Sequence, residues 1–271
     1  MSYEIRDKVF MVTGGCGAIG AGLTRAFLDE GAKHVAILDI EKPNGDAFEK
    51  QLTAKYGKGK AKFYKCDVTK DLVVVFEAVV KDVGYIDVVV NNAGILNDDS
   101  RHYLQEIAVN FTALVTSTLN AYELMRKDHG GRGGTIVNIS SIAGIFQGPA
   151  IPIYCATKSA VLQFTNCFGM EPHFSRSGVR MLTMCFGCTD TTLLASNKYG
   201  AIDDESEELI ADILKILPWQ KVESAVKGVV YAFKNGASAS TWLVSAGKPA
   251  VDITENVTKG FEIMSQGVYD E

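Results

Sequence analysis

Tyr154 and Lys158 stand four residues apart in the stretch YCATK, and Ser141 precedes the tyrosine by thirteen positions. Four residues are about one helical turn, so a helix here puts phenol and ammonium on one face. A positive charge beside a phenol stabilises the phenolate and draws its pKa down from about 10 toward neutral pH, which suits a general acid–base. A serine at the end of the apolar strand in NISS can hold a substrate oxygen for that phenol, Ser140 being the alternative to Ser141. Tyr/Lys pairs at this spacing also decorate ordinary helix surfaces, so the pair takes its weight from its context.

That context begins with TGGCGAIG at residues 13–20, which fits two fingerprints. Read from Gly15 it is G-x-G-x-x-G (Gly15, Gly17, Gly20). Read from Thr13 it is T-G-x-x-x-A-x-G, with Ala18 at a position where many oxidoreductases carry glycine. Either way the glycines permit a tight turn and close approach of a pyrophosphate to the N–H groups of a helix N-terminus. The loop follows a strand, opens a helix and is followed by Asp39 at the end of the next strand, the context that makes such a motif informative. Asp39 can accept hydrogen bonds from ribose hydroxyls and would repel a 2′-phosphate. No Arg or Lys lies in the loop, and Lys42 in EKPNG reads as a solvated turn residue. The favoured cofactor is NAD.

Positioning these groups requires alternating strands and helices. Apolar runs at Lys8–Thr13, His34–Asp39, Lys62–Cys66, Asp87–Val90, Thr135–Ile139 and Val179–Cys185 alternate with helical patterns at Ala18–Glu30, Asp46–Tyr56, Asp71–Val83, Tyr103–Lys127 and Ile153–Phe174. Acidic Asp203–Leu217 and then Glu223–Asn235 read as further helices, and Thr241–Val244 as an edge strand. Strands apolar on both faces and alternating with helices imply a parallel sheet covered on both sides. The expectation is α/β, a doubly wound parallel sheet of the Rossmann type in a single domain over residues 1–271, with ligands at the carboxyl ends of the strands.

These motifs together resemble the short-chain dehydrogenase/reductase family in its compact form, over about residues 5–192. The resemblance rests on TGGCGAIG, Asp67 in CDV, NNAG at Asn91–Gly94, Asn110, Ser141, and Tyr154 with Lys158. The Ser141–Tyr154 spacing then favours the T-G-x-x-x-A-x-G reading of the loop. The resemblance implies a catalytic set of Asn110, Ser141, Tyr154 and Lys158, with Asn110 holding a water that links the lysine to solvent. It implies a pyrophosphate cradle of Gly14, Cys16, Gly17, Ala18, Ile19 and Gly20, and an adenine region bounded by Asp67 and Val68. Asn92, Ala93 and Gly94 would support the cofactor pocket, Tyr154 and Lys158 would reach the nicotinamide ribose, and Gly187, Thr189 and Thr191 the carboxamide. Within the family, IVNISSIAG, PIYCATK and GGRGG look most like insect alcohol dehydrogenases and 15-hydroxyprostaglandin dehydrogenases. Two departures stand out. Phe186-Gly187 replaces the usual Pro-Gly, and Ile151 occupies the position of a glutamine in the prostaglandin enzymes, which weakens an assignment to prostaglandins.

Segment 193–219 is where such an enzyme would place a substrate lid. Leu193, Leu194, Tyr199, Ile202 and Trp219, with Ile145, Phe146 and Ile151, imply an apolar pocket for a lipophilic alcohol or its carbonyl product. The acidic run DDESEE reads as the opening of a solvated helix, where carboxylates favour the dipole. Net charge −5 gives nothing to attract a nucleic acid, and no apolar run of about 18 residues could span a membrane. Six scattered cysteines, and charges in MSYEIRDKVF where a signal peptide needs an apolar run, fit a cytoplasmic protein with reduced thiols. Cys185-x-x-Cys188 has no second Cys/His pair, so no metal site is expected. The family resemblance also implies a homodimer or homotetramer built on the two long helices. Two other readings are a non-catalytic NAD-binding sensor or storage-type relative, and a nucleotide-sugar epimerase. The intact catalytic set opposes the first; the short Ser141–Tyr154 spacing and NNAG oppose the second.

Overall fold

The computed structural model describes residues 3–195 and 199–268. Its centre is an eight-stranded sheet in the order β3-β2-β1-β4-β5-β6-β7-β8. The strands are β1 (Val9–Thr13), β2 (His34–Asp39), β3 (Ala61–Lys65), β4 (Val88–Asn91), β5 (Gly134–Ser141), β6 (Val179–Phe186), β7 (Ser240–Val244) and β8 (Val251–Asp252). The first seven pair in parallel and only β8 runs antiparallel, against β7. This is the doubly wound arrangement expected from the alternating pattern.

Strand alternation divides the core into two layers. Phe10 and Val12 face one side with Val88, Val90, Val137 and Leu182, packed by Leu23 and Phe27 of α1 (Ala18–Asp29) and Val229 and Phe233 of α9 (Val222–Asn235). Met11, Val89, Ile136 and Met181 face the other side, against Val75 and Phe76 of α3 (Leu72–Val83) and Ala121 and Tyr122 of α5 (Ala113–Met125). Every residue of β1 is buried, as a central strand covered on both faces must be. Phe27 stacks on Phe10 with ring centroids 4.1 Å apart, so truncating either to Ala would cost about 3–5 kcal/mol.

Helix α1 ends as its Gly31 suggests. Gly31 adopts φ +87°, its N–H bonds the carbonyl of Leu28, and the N–H of Ala32 bonds that of Phe27, a Schellman closure. Elsewhere the elements differ from the sequence pattern for identifiable reasons. EKPNG is not a turn: Lys42 and Pro43 open α2 (Lys42–Tyr56), where proline loses nothing by lacking an N–H, and Lys42 pairs with Asp46. The long Tyr103–Lys127 helix is broken into α4 (Tyr103–Ile107), a π turn (Ala108–Thr112) and α5. Ile153–Phe174 is α6 (Pro152–Gly169), stopped before the cis Glu171–Pro172 bond, and the short α7 (His173–Ser177). Strand β7 is not the sheet edge, because β8 pairs beyond it and is followed by α10 (Thr254–Met264).

Among the described residues no helix is long and apolar enough to cross a membrane, and no group of three or more His, Cys, Asp or Glu side chains is arranged to hold a metal ion.

Candidate active site

Strand order reverses direction between β1, which leads back to β2, and β4, which leads on to β5, and the crevice opens at their carboxyl ends. Gly14 turns the chain out of β1 with φ +60°, and a Cβ there would press on the Ala93 backbone at 3.0 Å. A Cβ on Gly20 would lie 2.2 Å from the Gly14 carbonyl oxygen, so first and last glycines of the loop lock together. Ala18, by contrast, is exposed, and its methyl group obstructs nothing. Gly15 is constrained as well, since a Cβ there would lie 2.7 Å from Ile37 Cγ2 and 3.0 Å from the Val12 carbonyl oxygen, so the loop satisfies both glycine spacings at once. Gly17 caps α1 without a side-chain hydrogen bond, which leaves the first N–H groups of the helix free for an anion.

Asp39 is tied to this loop. One carboxylate oxygen accepts the N–H of Cys16 at 2.9 Å and the other that of Ile40 at 2.7 Å, leaving lone pairs on both for a further donor. Across the crevice, Asn92 Nδ2 donates to the carbonyls of Thr13 and Gly14, and the N–H groups of Asn92 and Ala93 reach Thr13 Oγ1. NNAG thus braces the glycine loop against β4. Val68 borders a small hollow with Thr13, Asn91 and Ala93. Asp67 spends its carboxylate on its own turn, accepting from Thr69 and pairing with Lys70, and the Thr69 hydroxyl chiefly holds it below the usual carboxylate range.

A second set of residues gathers beyond β5. Tyr154 and Lys158 share one face of α6, both nearly buried, with the ammonium 5.5 Å from the phenol ring centre. Burial pushes the Tyr154 phenol above its ordinary value while the Ser141 hydroxyl against it pulls the other way; burial also draws Lys158 down to about 8. Ser141 Oγ accepts the N–H of Ala143, which fixes it at the strand end. Ser140 instead donates to the Lys158 carbonyl at 2.8 Å and braces the helix, which separates the two serines. Asn110 sits in the π turn, exchanging two hydrogen bonds of 2.8 Å with the Ile95 backbone. The π turn thus falls on a residue expected from the sequence to belong to the site, and π turns are often found at such positions.

One cleft joins the two sets, with about 1050 Å³ of space between its walls, mouth included. Ile19, Asn92 and Gly94 border it on the loop side, and Ser141, Tyr154, Lys158, Gly187, Thr189 and Thr191 on the other. Glycine is required at 187, where a Cβ would lie 2.3 Å from Ser245 Oγ. Phe186 keeps β6 paired on both sides, to Ser141 and to Val244, one residue further than the sequence pattern suggests. Of the apolar residues expected in the pocket, Leu193, Leu194, Phe146 and Ile151 line it. Tyr199 packs behind Leu96 and Tyr154, Ile145 and Ile202 are largely exposed, and Trp219 donates its indole N–H to Leu214.

The sequence reading missed the other wall. Ile210, Ile213 and Leu214 of α8 (Asp204–Ile216), with Leu217, complete the cleft, so this helix is solvated along its acidic first turn and its outer face, at Asp212, Lys215 and Ile216, and apolar on the face turned to the cleft. Ile210, Ile213, Leu214 and Leu217 follow helical spacing and could have been found by it. Gln220 was also missed; it is buried and donates to Thr189 Oγ1 and the Val244 carbonyl. Asp98 and Glu106 were missed as well. The Asp98 carboxylate accepts the N–H groups of Ile153 and Tyr154 at 2.7 and 3.1 Å, capping the helix that carries the tyrosine.

A glycine-turned, uncapped helix at a switch point, opening on a buried Tyr/Lys pair, defines a doubly wound protein of the dinucleotide-binding class. Residues 8–200 match the family model of short chain dehydrogenases, and the chain belongs to that family. Similar proteins include the 15-hydroxyprostaglandin dehydrogenase (NAD+) of Rattus norvegicus, 36% identical over 71% of this chain and 72% of the relative. Alcohol dehydrogenase 1 of Ceratitis cosyra is 38% identical over 71% of this chain and 74% of its own. Alcohol dehydrogenase 2 of the same species is 34% identical over 86% of this chain and 90% of its own.

Proposed function

We propose that this chain is an NAD-dependent alcohol dehydrogenase interconverting a lipophilic alcohol and its ketone or aldehyde, with Tyr154 as general acid–base. The observation that carries this reading is the buried Tyr154–Lys158 pair, with Ser141 against the phenol, at the floor of an apolar cleft that opens on the glycine loop. The residues fit the cofactor: glycine at 94 leaves open the space in which a Cβ would stand 3.3 Å from Asn110 Oδ1 and 3.5 Å from Lys158 Nζ. Gly14, Cys16, Gly17, Ala18, Ile19 and Gly20 would hold the pyrophosphate, Asp39 the adenosine ribose, and Asp67 and Val68 the adenine side. Asn92, Ala93 and Gly94 would support the cofactor pocket, Tyr154 and Lys158 would reach the nicotinamide ribose, and Gly187, Thr189 and Thr191 the carboxamide. When bound, NAD supplies the acceptor for the two electrons leaving the substrate carbon and a positive charge in the cleft.

Ser141 holds the substrate oxygen and Tyr154 removes its proton as the carbonyl forms; in the reverse direction the phenol returns it. Because burial raises the phenol, the tyrosine depends on nearby positive charge to act near neutral pH, and Lys158 provides it from the next turn. Asn110, anchored on the Ile95 backbone, would hold the water that links Lys158 to solvent and takes the proton outward. The aliphatic wall from Leu193, Leu194, α8 and Leu217 favours a lipophilic substrate over a sugar or a charged acid; we read segment 193–219, of which 196–198 lie outside the described residues, as a lid within a single domain. We assign the chain to a reducing, cytoplasmic setting, in keeping with its six free cysteines, and to a homodimer or homotetramer through α5 and α6.

The deciding experiment is Tyr154→Phe, followed by NADH formation across a panel of lipophilic alcohols. The variant should bind NADH normally and lose at least about a hundredfold in kcat, the usual share of general acid–base catalysis. Wild-type turnover in that variant would sink the reading, and a wild-type protein that binds NAD but oxidises nothing would favour a sensor.

A further inference from the structure

Behind the catalytic face of α6 lie two carboxyls with no solvent contact, Asp98 and Glu106, both 0% exposed. They face each other, and the cation that acts on Glu106 is the buried Lys158. Tyr154 and Cys155 on α6 complete the titratable groups turned toward Glu106. Asp99, Arg101 and His102 pair with one another on the outer side of the same turn. Two buried carboxylates beside a single ammonium would leave an uncompensated charge away from water, which is costly. One proton therefore belongs to the carboxyl pair.

Hydrogen bonds decide which member holds it. Each Asp98 oxygen already accepts a backbone N–H at the start of α6, where the helix end also favours negative charge. Glu106 Oε1 accepts from Asn110 Nδ2 at 3.3 Å, but Oε2 is buried without a donor. A proton on Oε2 turns that orphan into a donor toward Asp98. The charge thus stays on Asp98 and the proton on Glu106. Burial, and then the charge of Asp98, push the Glu106 carboxyl up to about 8, the region to which burial brings Lys158 down.

We propose that Glu106 is a positioning residue that stores a proton against Asp98 and gives it up to solvent in place of Lys158, so that Lys158 remains an ammonium beside Tyr154 as the medium turns alkaline. The inference rests on the reading of Tyr154 and Lys158 as the acid–base machinery. Only an O–H bond of Glu106 breaks, water takes the proton, and the lysine N–H bonds are untouched. The resulting carboxylate favours the charged form of Lys158.

Infrared spectroscopy of the cofactor-free protein tests the stored proton independently of turnover. Wild-type enzyme should show the C=O stretch of a protonated carboxyl near neutral pH. That band should shift on 13C-glutamate labelling, fade through about pH 8, and be absent in Glu106→Gln. The glutamate-label shift assigns the proton without any variant, should Glu106→Gln fold poorly. The second arm is the ratio of kcat/KM in Glu106→Gln to that in wild type. It should be level below about pH 7 and fall roughly three- to tenfold by about pH 9.5, since losing the carboxylate moves the lysine by up to about one pKa unit. Absence of a protonated glutamate band, or a ratio constant across pH, overturns the proposal. Failure of the acid–base reading shows separately, as activity retained in Tyr154→Phe.

Discussion

Asp39 reaches the glycine loop with one oxygen and its own following N–H with the other, at 2.9 and 2.7 Å, so Asp39→Ala removes two things at once. It deletes an anchor of the loop, and it deletes the acceptor for the ribose hydroxyls. A hydrogen bond to a charged group is worth about 1.5–3 kcal/mol. Losing the ribose contact alone should therefore weaken NADH binding by about 10- to 150-fold. The loop anchor adds to the loss by leaving the half-buried Cys16 N–H without its partner. Asp39→Asn separates the two effects, since its amide oxygen can still accept from Cys16 while the negative charge is gone. Removing the carboxylate relieves repulsion of a 2′-phosphate but installs no cation, and Lys42 is occupied by Asp46 at 2.7 Å. Asp39→Ala should thus lose NADH without gaining much NADPH, whereas Asp39→Ala with Ile40→Arg should gain it, because Ile40 is exposed next in the chain. Fluorescence titration with both reduced cofactors is the assay, with thermal melts as the control for folding. If Asp39→Ala binds NADH within about threefold of wild type, Asp39 does not read the ribose and the cofactor preference has another origin.

Two further outcomes follow from the same geometry. Gly20→Ala drives a methyl group into the Gly14 carbonyl, which as backbone cannot yield cheaply. It should cost about 1–3 kcal/mol of stability in denaturant melts and abolish tight NADH binding, while Ala18→Gly should cost about 0.5–1 kcal/mol and leave binding in place. Glu106 also makes stability depend on pH. Its folded carboxyl is raised from 4.5 to about 8, so the stability it contributes is complete below about pH 4.5 and is lost as pH rises through about 8. At about 1.36 kcal/mol per pH unit the span is at most about 5 kcal/mol. Urea titrations from about pH 5 to 9 should show this decline in wild type and a flatter profile in Glu106→Gln.

The alternation of strands with helices and the glycine loop were legible because their causes are local: apolar runs along each strand, a turn that only glycine makes, and an acidic residue one strand later. Tyr154 and Lys158 were legible because one helical turn sets their relation, and Ser141 because it ends an apolar strand. Glu106 was not, since LQEIAVN gives no sign that its carboxylate lies inward; burial there comes from the packing of α4 on α6 and the π turn at Asn110. Asp98 was hidden for the same reason, as its partners are more than fifty residues away along the chain. Helix α8 misled through its first turn, where DDESEE masks the aliphatic face that follows. The break before Pro172 and the pairing of β8 depend on distant neighbours, which hydrophobic periodicity does not report.

Asp98 also bears on how this scaffold could be re-engineered. Its carboxylate grips the first turn of the tyrosine's helix, and its own N–H bonds the Gly200 carbonyl at 2.9 Å. At Gly200 a Cβ would lie 2.1 Å from Asn97 Oδ1, so that junction admits no side chain without displacing its neighbour. One residue is thus a shared foundation for the proton-handling helix and for the segment leading into the aliphatic wall. Grafts that exchange α8 for another wall can alter which substrates enter while Tyr154 keeps its footing. Grafts that begin a few residues earlier, at Gly200, alter the footing too, and a loss of turnover in them would say nothing about the fit of the new substrate.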